Sequence, residues 1–95
     1  MQDGAIDLRV ERCVRFDGEG TLKAVCDLIV GERFLIKGLR VIEGKQGLFV
    51  SMPRQQWKDG KWYDTVRTLT KDAKAEVGRV ILEAYHQTSA IAEKI

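Results

Sequence analysis

A single histidine, a single proline and two cysteines in 95 residues leave few parts from which a catalytic or metal centre could be built. Cys13 and Cys26 lie in separate candidate strands, at a spacing that fits neither a Cys-x-x-Cys motif nor a zinc ligand set, and His86 is far away in sequence. The expectation is a pair of reduced thiols, with Cys26 a small core residue, and no metal. No carboxylate pair stands in an apolar setting that would raise a pKa. A phosphate loop is missing too, since Gly44-Lys45-Gln46-Gly47 lacks both the Walker spacing and a following helix. No apolar run approaches the roughly 20 residues that cross a bilayer. The start, MQDGAIDLRV, carries two acids and none of the basic residues that open a signal peptide before its apolar stretch. These absences argue against an enzyme, a cofactor, a small-molecule substrate and a membrane protein, and lead to the expectation of a cytoplasmic binding protein.

What is present is ordinary for a folded domain, with 44% hydrophobic and 32% charged residues. Without repeats or low-complexity stretches, residues 1–95 read as one domain. A chain of this size buries a modest core, which makes a homodimer a reasonable expectation. The overall charge of +2 is too small to imply nucleic-acid binding. Its distribution is more informative. Between Arg54 and Lys74 stand six basic residues (Arg54, Lys58, Lys61, Arg67, Lys71 and Lys74) against Asp59, Asp64 and Asp72, a local excess of +3. A solvated surface is the plain alternative to a binding site there.

Taken in order, residues 6–16 alternate, with Ile6, Leu8, Val10, Val14 and Phe16 expected inward and Arg12 marking a bulge or a sheet end. Asp17-Gly18-Glu19-Gly20 supplies a turn. Residues 21–30 alternate again, with Leu22, Ala24, Cys26, Leu28 and Val30 inward, while Val25 and Ile29 suggest that the outer face is also partly covered. After Gly31-Glu32 a third strand runs to Ile42, with Gly38 implying a bulge. Leu48 to Met52 form a fourth, stopped by Pro53. Residues 54–58 read as a polar loop, followed by an Asp59-Gly60 hairpin whose Trp57 and Trp62 are expected to face each other. Thr70 is a candidate N-cap. From Lys71 the spacing becomes helical, with an apolar stripe of Ala73, Val77, Val80, Ile81, Ala84, Thr88, Ile91 and Ala92, and with Arg79 and His86 on the other side. Lys71 and Lys74 fall at the helix N-terminus, where the dipole adds to their charge and could receive a phosphate. The fold class is therefore α+β: an antiparallel sheet of four to five strands, a projecting hairpin, and one C-terminal helix packed on the sheet.

The strings Arg40-Val41-Ile42-Glu43-Gly44 and Gly47-Leu48-Phe49-Val50-Ser51-Met52-Pro53, the later Asp59-Gly60 and the Tyr85-His86 helix ending resemble the SpoVG family of stage V sporulation protein G and septation regulators. Ala84 stands where that family has an acid before the ending. The resemblance runs from about Ile6 to His86. It implies an α+β homodimer in bacteria that binds DNA, and in some members RNA, and affects septation, sporulation or virulence genes. The resemblance also implicates basic residues after the Met-Pro string and near the helix start in that binding. Arg54 keeps the first such position, Gln55 or Gln56 replaces a second, and Lys74 stands where the family tends to have arginine. Arg67-Thr68 occupies the place of the family's pre-helix proline.

The resulting expectation is a regulator of transcription or cell division that acts by occupancy. Phosphates would be met by Arg54, Lys58, Lys61, Arg67, Lys71 and Lys74, with Gln55, Gln56 or Arg54 reaching base edges. The competing expectation is a protein-interaction module that uses the Trp57/Trp62 hairpin and the outer sheet face.

Overall fold

Alternating apolar residues separated by short turns form β1 (Leu8–Arg15), β2 (Leu22–Val30), β3 (Phe34–Gly44) and β4 (Gly47–Ser51). Each strand is antiparallel to the next, so spatial order follows chain order, as expected of a meander. The computed structural model describes residues 6–16 and 18–88. Asp17 of the first expected turn, and Ile91 and Ala92 of the expected helix stripe, lie outside the described residues.

Three bulges decide which side chains meet the helix. In β1 the extra residue is Glu11, because Val10 opposes Leu28 while Arg12 opposes Asp27. A one-residue slip exchanges the faces of everything beyond it. Cys13 and Arg15 therefore turn toward the helix, and Val14 and Phe16, expected inward, line an outer depression with Arg12 and Val25. In β2 the extra residue is Lys23, which pairs Leu22 with Ile42 and leaves Leu22 partly exposed on the outer face rather than in the core. Gly38 is the third bulge, in β3, and its φ of +90° is one that glycine adopts without penalty. Asp27 also faces outward, yet it is only 8% exposed between its cross-strand partners Arg12 and Lys37.

The helix α1 (Lys71–Gln87) starts at Thr70, whose hydroxyl accepts the Ala73 N–H at 3.0 Å. It buries Val77, Ile81 and Tyr85 against Ala24, Cys26 and Leu28 of β2 and Leu39 and Val41 of β3. Tyr85 was absent from the expected stripe, where Ala84 stood. A methyl group is too short to span to β1, whereas the Tyr85 ring reaches it and lies 4.3 Å from the Arg15 guanidinium.

After Pro53 the chain forms a separate two-stranded arm, β5 (Arg54–Gln56) and β6 (Trp62–Asp64), so residues 54–56 are strand rather than loop. The arm is closed at its base by Thr65, whose N–H and hydroxyl both donate to the Pro53 carbonyl at 2.9 and 3.2 Å. Its tip is a three-residue loop, Lys58-Asp59-Gly60, in which Trp57 and Lys61 close the hairpin and Gly60 takes φ +83°. The expected Trp57–Trp62 pair does not form. The loop is one residue longer than a two-residue turn, which moves Trp62 opposite Gln56 and onto the other face. Trp57 instead meets the edge of Tyr63, with ring centroids 6.4 Å apart.

Candidate functional site

The edge of β4, the arm and one side of α1 enclose an open groove of about 1200 Å³. Its floor is apolar, from Leu48, Val50 and Met52 on the sheet side and Val77 and Leu82 on the helix side. Its walls are basic: Arg54 comes from the arm, Arg67 from the connection to the helix, and Lys71, Lys74 and Arg79 from α1, against the single carboxylate of Asp64. The helix brings Lys71 and Lys74 together because residues three apart share a face, and both sit in its first turn beside the unpaired N–H groups.

These cations are not equally available. Arg54 is held across the arm, with its Nε 3.3 Å from Asp64 Oδ1 and an Nη donating to the Trp62 carbonyl at 3.3 Å. Arg79 is shared between Glu76 at 2.9 Å and Glu83 at 3.6 Å. Arg67, Lys71 and Lys74 have no salt-bridge partner among the described residues, which leaves three uncommitted charges on one wall.

The sequence-derived site thus divides. Arg54, Arg67, Lys71 and Lys74 come together in the groove. Lys58 lies in the arm's tip, and Gln55 and Lys61 share the arm face that carries Trp57 and Tyr63, away from Arg54. Gln56 shares the face of Arg54, but its amide donates to the Gly60 carbonyl at 3.1 Å and closes the tip. Arg79 was missed as a groove residue. Its spacing of eight from Lys71 was the available signal, obscured because the cations flank the helix's buried stripe, which itself supplies Val77 to the floor.

The arm is stiffened at its tip. The Lys61 N–H and the Tyr63 hydroxyl both donate to the Asp59 carboxylate, at 2.9 and 2.8 Å. Those bonds hold Asp59 below the usual carboxylate range, and the same carboxylate holds the Tyr63 hydroxyl above the usual phenol range. Far from the groove, Arg9 and Glu32 make a two-pronged ion pair at 2.6 and 3.1 Å on the exposed surface. No group of three metal-ligating side chains occurs among the described residues, and no described helix is long and apolar enough to cross a membrane.

A family model described as SpoVG matches residues 5–87. Relatives from several organisms carry the name "Putative septation protein SpoVG". The protein of Archaeoglobus fulgidus is 34% identical over 76 residues, covering 80% of this chain and 89% of that protein. That of Lachnospira eligens is 29% identical over 87 residues, covering 92% and 96%. That of Staphylococcus aureus strain JH9 is 32% identical over 80 residues, covering 84% and 80%.

Proposed function

The chain belongs to the SpoVG family, and we propose that it is a cytoplasmic nucleic-acid-binding regulator in septation or sporulation, acting as a homodimer by occupancy and without a chemical step. The observation that carries this reading is the uncommitted trio Arg67, Lys71 and Lys74 on one wall of the groove. Cations held away from carboxylates lose no partner when they meet a phosphate, so their full charge goes into displacing counterions. An apolar floor beside them suits the sugar or base faces of a strand.

One copy offers too few charges for useful affinity at physiological salt. Two copies would meet about six phosphates and give a slope of log K against log salt of about −5 on duplex DNA. Pairing of two copies is supported by the sheet face that α1 leaves uncovered, where Leu22, Leu35 and Phe49 are exposed. DNA is the polymer proposed, with RNA the alternative. The test is titration of labelled duplex DNA, single-stranded DNA and RNA pools at several salt concentrations. Steep salt dependence supports the reading; no binding to any of the three at low salt overturns it.

A second reading is favoured by one feature, Trp57, which is 60% exposed on the arm face turned away from Arg54. There it would anchor a protein partner in septation, with Tyr63 beside it. Such an interface would lose little affinity over the same salt range.

A further inference from the structure

Cys13 of β1 and Cys26 of β2 stand directly opposite each other in register, with their sulfurs 3.2 Å apart. We propose that this pair is an oxidative modification site, in which a hydroperoxide converts the two thiols into a reversible cross-strand disulfide. The inference does not depend on what the groove binds.

Geometry carries it. Residues facing each other on antiparallel strands have Cα atoms roughly 4.5–5.5 Å apart, within the range that a disulfide spans without moving the backbone. The two thiols also differ in the way that a reactive and a resolving sulfur must. Cys13 is half-buried and within reach of a small oxidant, whereas Cys26 is fully enclosed in the core and donates its S–H to the Cys13 sulfur. That hydrogen bond favours the Cys13 thiolate, as does the positive charge of Arg15, and the thiol is lowered to about 7; Cys26 is pushed upward by the same interaction and by burial. Thr88 adds little, because its one hydroxyl proton is given to the Ala84 carbonyl at 2.7 Å. Arg15 lies two residues beyond Cys13 on the same strand face, and its Nε is the one buried side-chain N or O without a hydrogen-bond partner among the described residues.

The chemistry balances with one equivalent of hydroperoxide. The Cys13 thiolate attacks the terminal peroxide oxygen, an S–O bond forms, the O–O bond breaks, and the alkoxide leaves and takes up a proton. Cys13 is then a sulfenic acid. The Cys26 sulfur attacks it, the S–S bond forms, the S–O bond breaks, and hydroxide leaves as water with the Cys26 proton. Two thiols are oxidised by two electrons and the peroxide is reduced to alcohol and water. A reducing thiol reverses the modification.

The test uses the full reduced chain and hydrogen peroxide near neutral pH. The expected result is loss of both titratable thiols, a mass lower by two hydrogen atoms, and a digest fragment linking residues 13–15 to residues 24–33, all reversed by dithiothreitol. In Cys26→Ala the reaction should stop at a Cys13 sulfenic acid that dimedone traps, an adduct absent from the parent chain. Circular dichroism checks that the variant folds, and the fragment map of the parent chain decides the matter if it does not. Disulfides between copies, Cys13 over-oxidised to a sulfinic acid with Cys26 untouched, or thiols that survive peroxide sufficient to oxidise free cysteine would each overturn the proposal.

Discussion

Arg15 ties the first strand to the end of the helix through Tyr85: its Nη1 donates to the Tyr85 carbonyl at 3.1 Å and to the Thr88 carbonyl at 3.0 Å, while the guanidinium carbon lies 4.3 Å from the centre of the Tyr85 ring. A cation at a helix C-terminus opposes the dipole and satisfies carbonyls that the helix leaves free. Arg15→Ala should therefore lower stability by about 1.5–3 kcal/mol, the range for hydrogen bonds to a charged group. Arg15→Lys should recover only part, since a point ammonium cannot both stack and fork. The urea midpoint, at unchanged slope, measures both.

Two glycines should respond to alanine with opposite signs. Beyond its own neighbours in the chain and, for Gly78, the surrounding helix backbone, neither Gly38 nor Gly78 has an atom within 4 Å of where a Cβ would stand, so backbone conformation decides. Gly78 is inside α1, where alanine should stabilise by up to about 1 kcal/mol. Gly38 sits at φ +90°, where alanine should cost about 1 kcal/mol or more. Thermal midpoints moving in opposite directions would be the expected outcome.

The tip of the arm should be pH-sensitive at both ends. Asp59 is held below the usual carboxylate range, so the contribution of its bonds is present above its unfolded pKa and lost as pH falls through the lower folded value. Tyr63 is held above the usual phenol range, so its contribution is present below its unfolded pKa and lost as pH rises through the higher folded value. Tyr63 ring shifts and Trp57 fluorescence should stay constant between these limits and change outside them. Asp59→Asn should abolish the acidic transition.

Groove cations should be graded by how far they are already committed. Alanine at Arg67, Lys71 or Lys74 should weaken binding to all nucleic-acid sequences and reduce the salt slope by about one for each phosphate no longer neutralised. Arg54→Ala should change the slope less, because Asp64 and the Trp62 carbonyl already hold that guanidinium. Comparing the slopes of the four variants, with circular dichroism to check folding, separates the two kinds of residue.

Much of this could be read without coordinates. The alternation of residues 24–30, the Gly38 bulge, the stop at Pro53, the Thr70 cap and the family strings around Gly47–Pro53 are local signals, and each corresponds to a local feature of the fold, whereas the Lys23 bulge takes Leu22 out of the pattern. Composition and spacing likewise separated the basic stretch 54–74 from the rest of the chain.

Other features depended on single-residue offsets between segments. Val14 and Phe16 face outward because Glu11 is extruded, and Trp57 meets Tyr63 rather than Trp62 because the tip has three residues, not two. Arg12 on the apolar side announced a break in the first strand, but nothing local fixed that Glu11 is the residue extruded, and that offset reverses every face beyond it. The sequence alone determined the four-stranded meander, the hairpin turn and the helix, their order and their charge, but not the strand over residues 54–56. Only the tertiary structure decided that Arg67, Lys71 and Lys74 share a groove with Arg54 while Lys58 and Lys61 do not, and that Cys13 meets Cys26. The physical reason is that strand register is set by hydrogen-bond pairing between distant segments, and the side chains follow it.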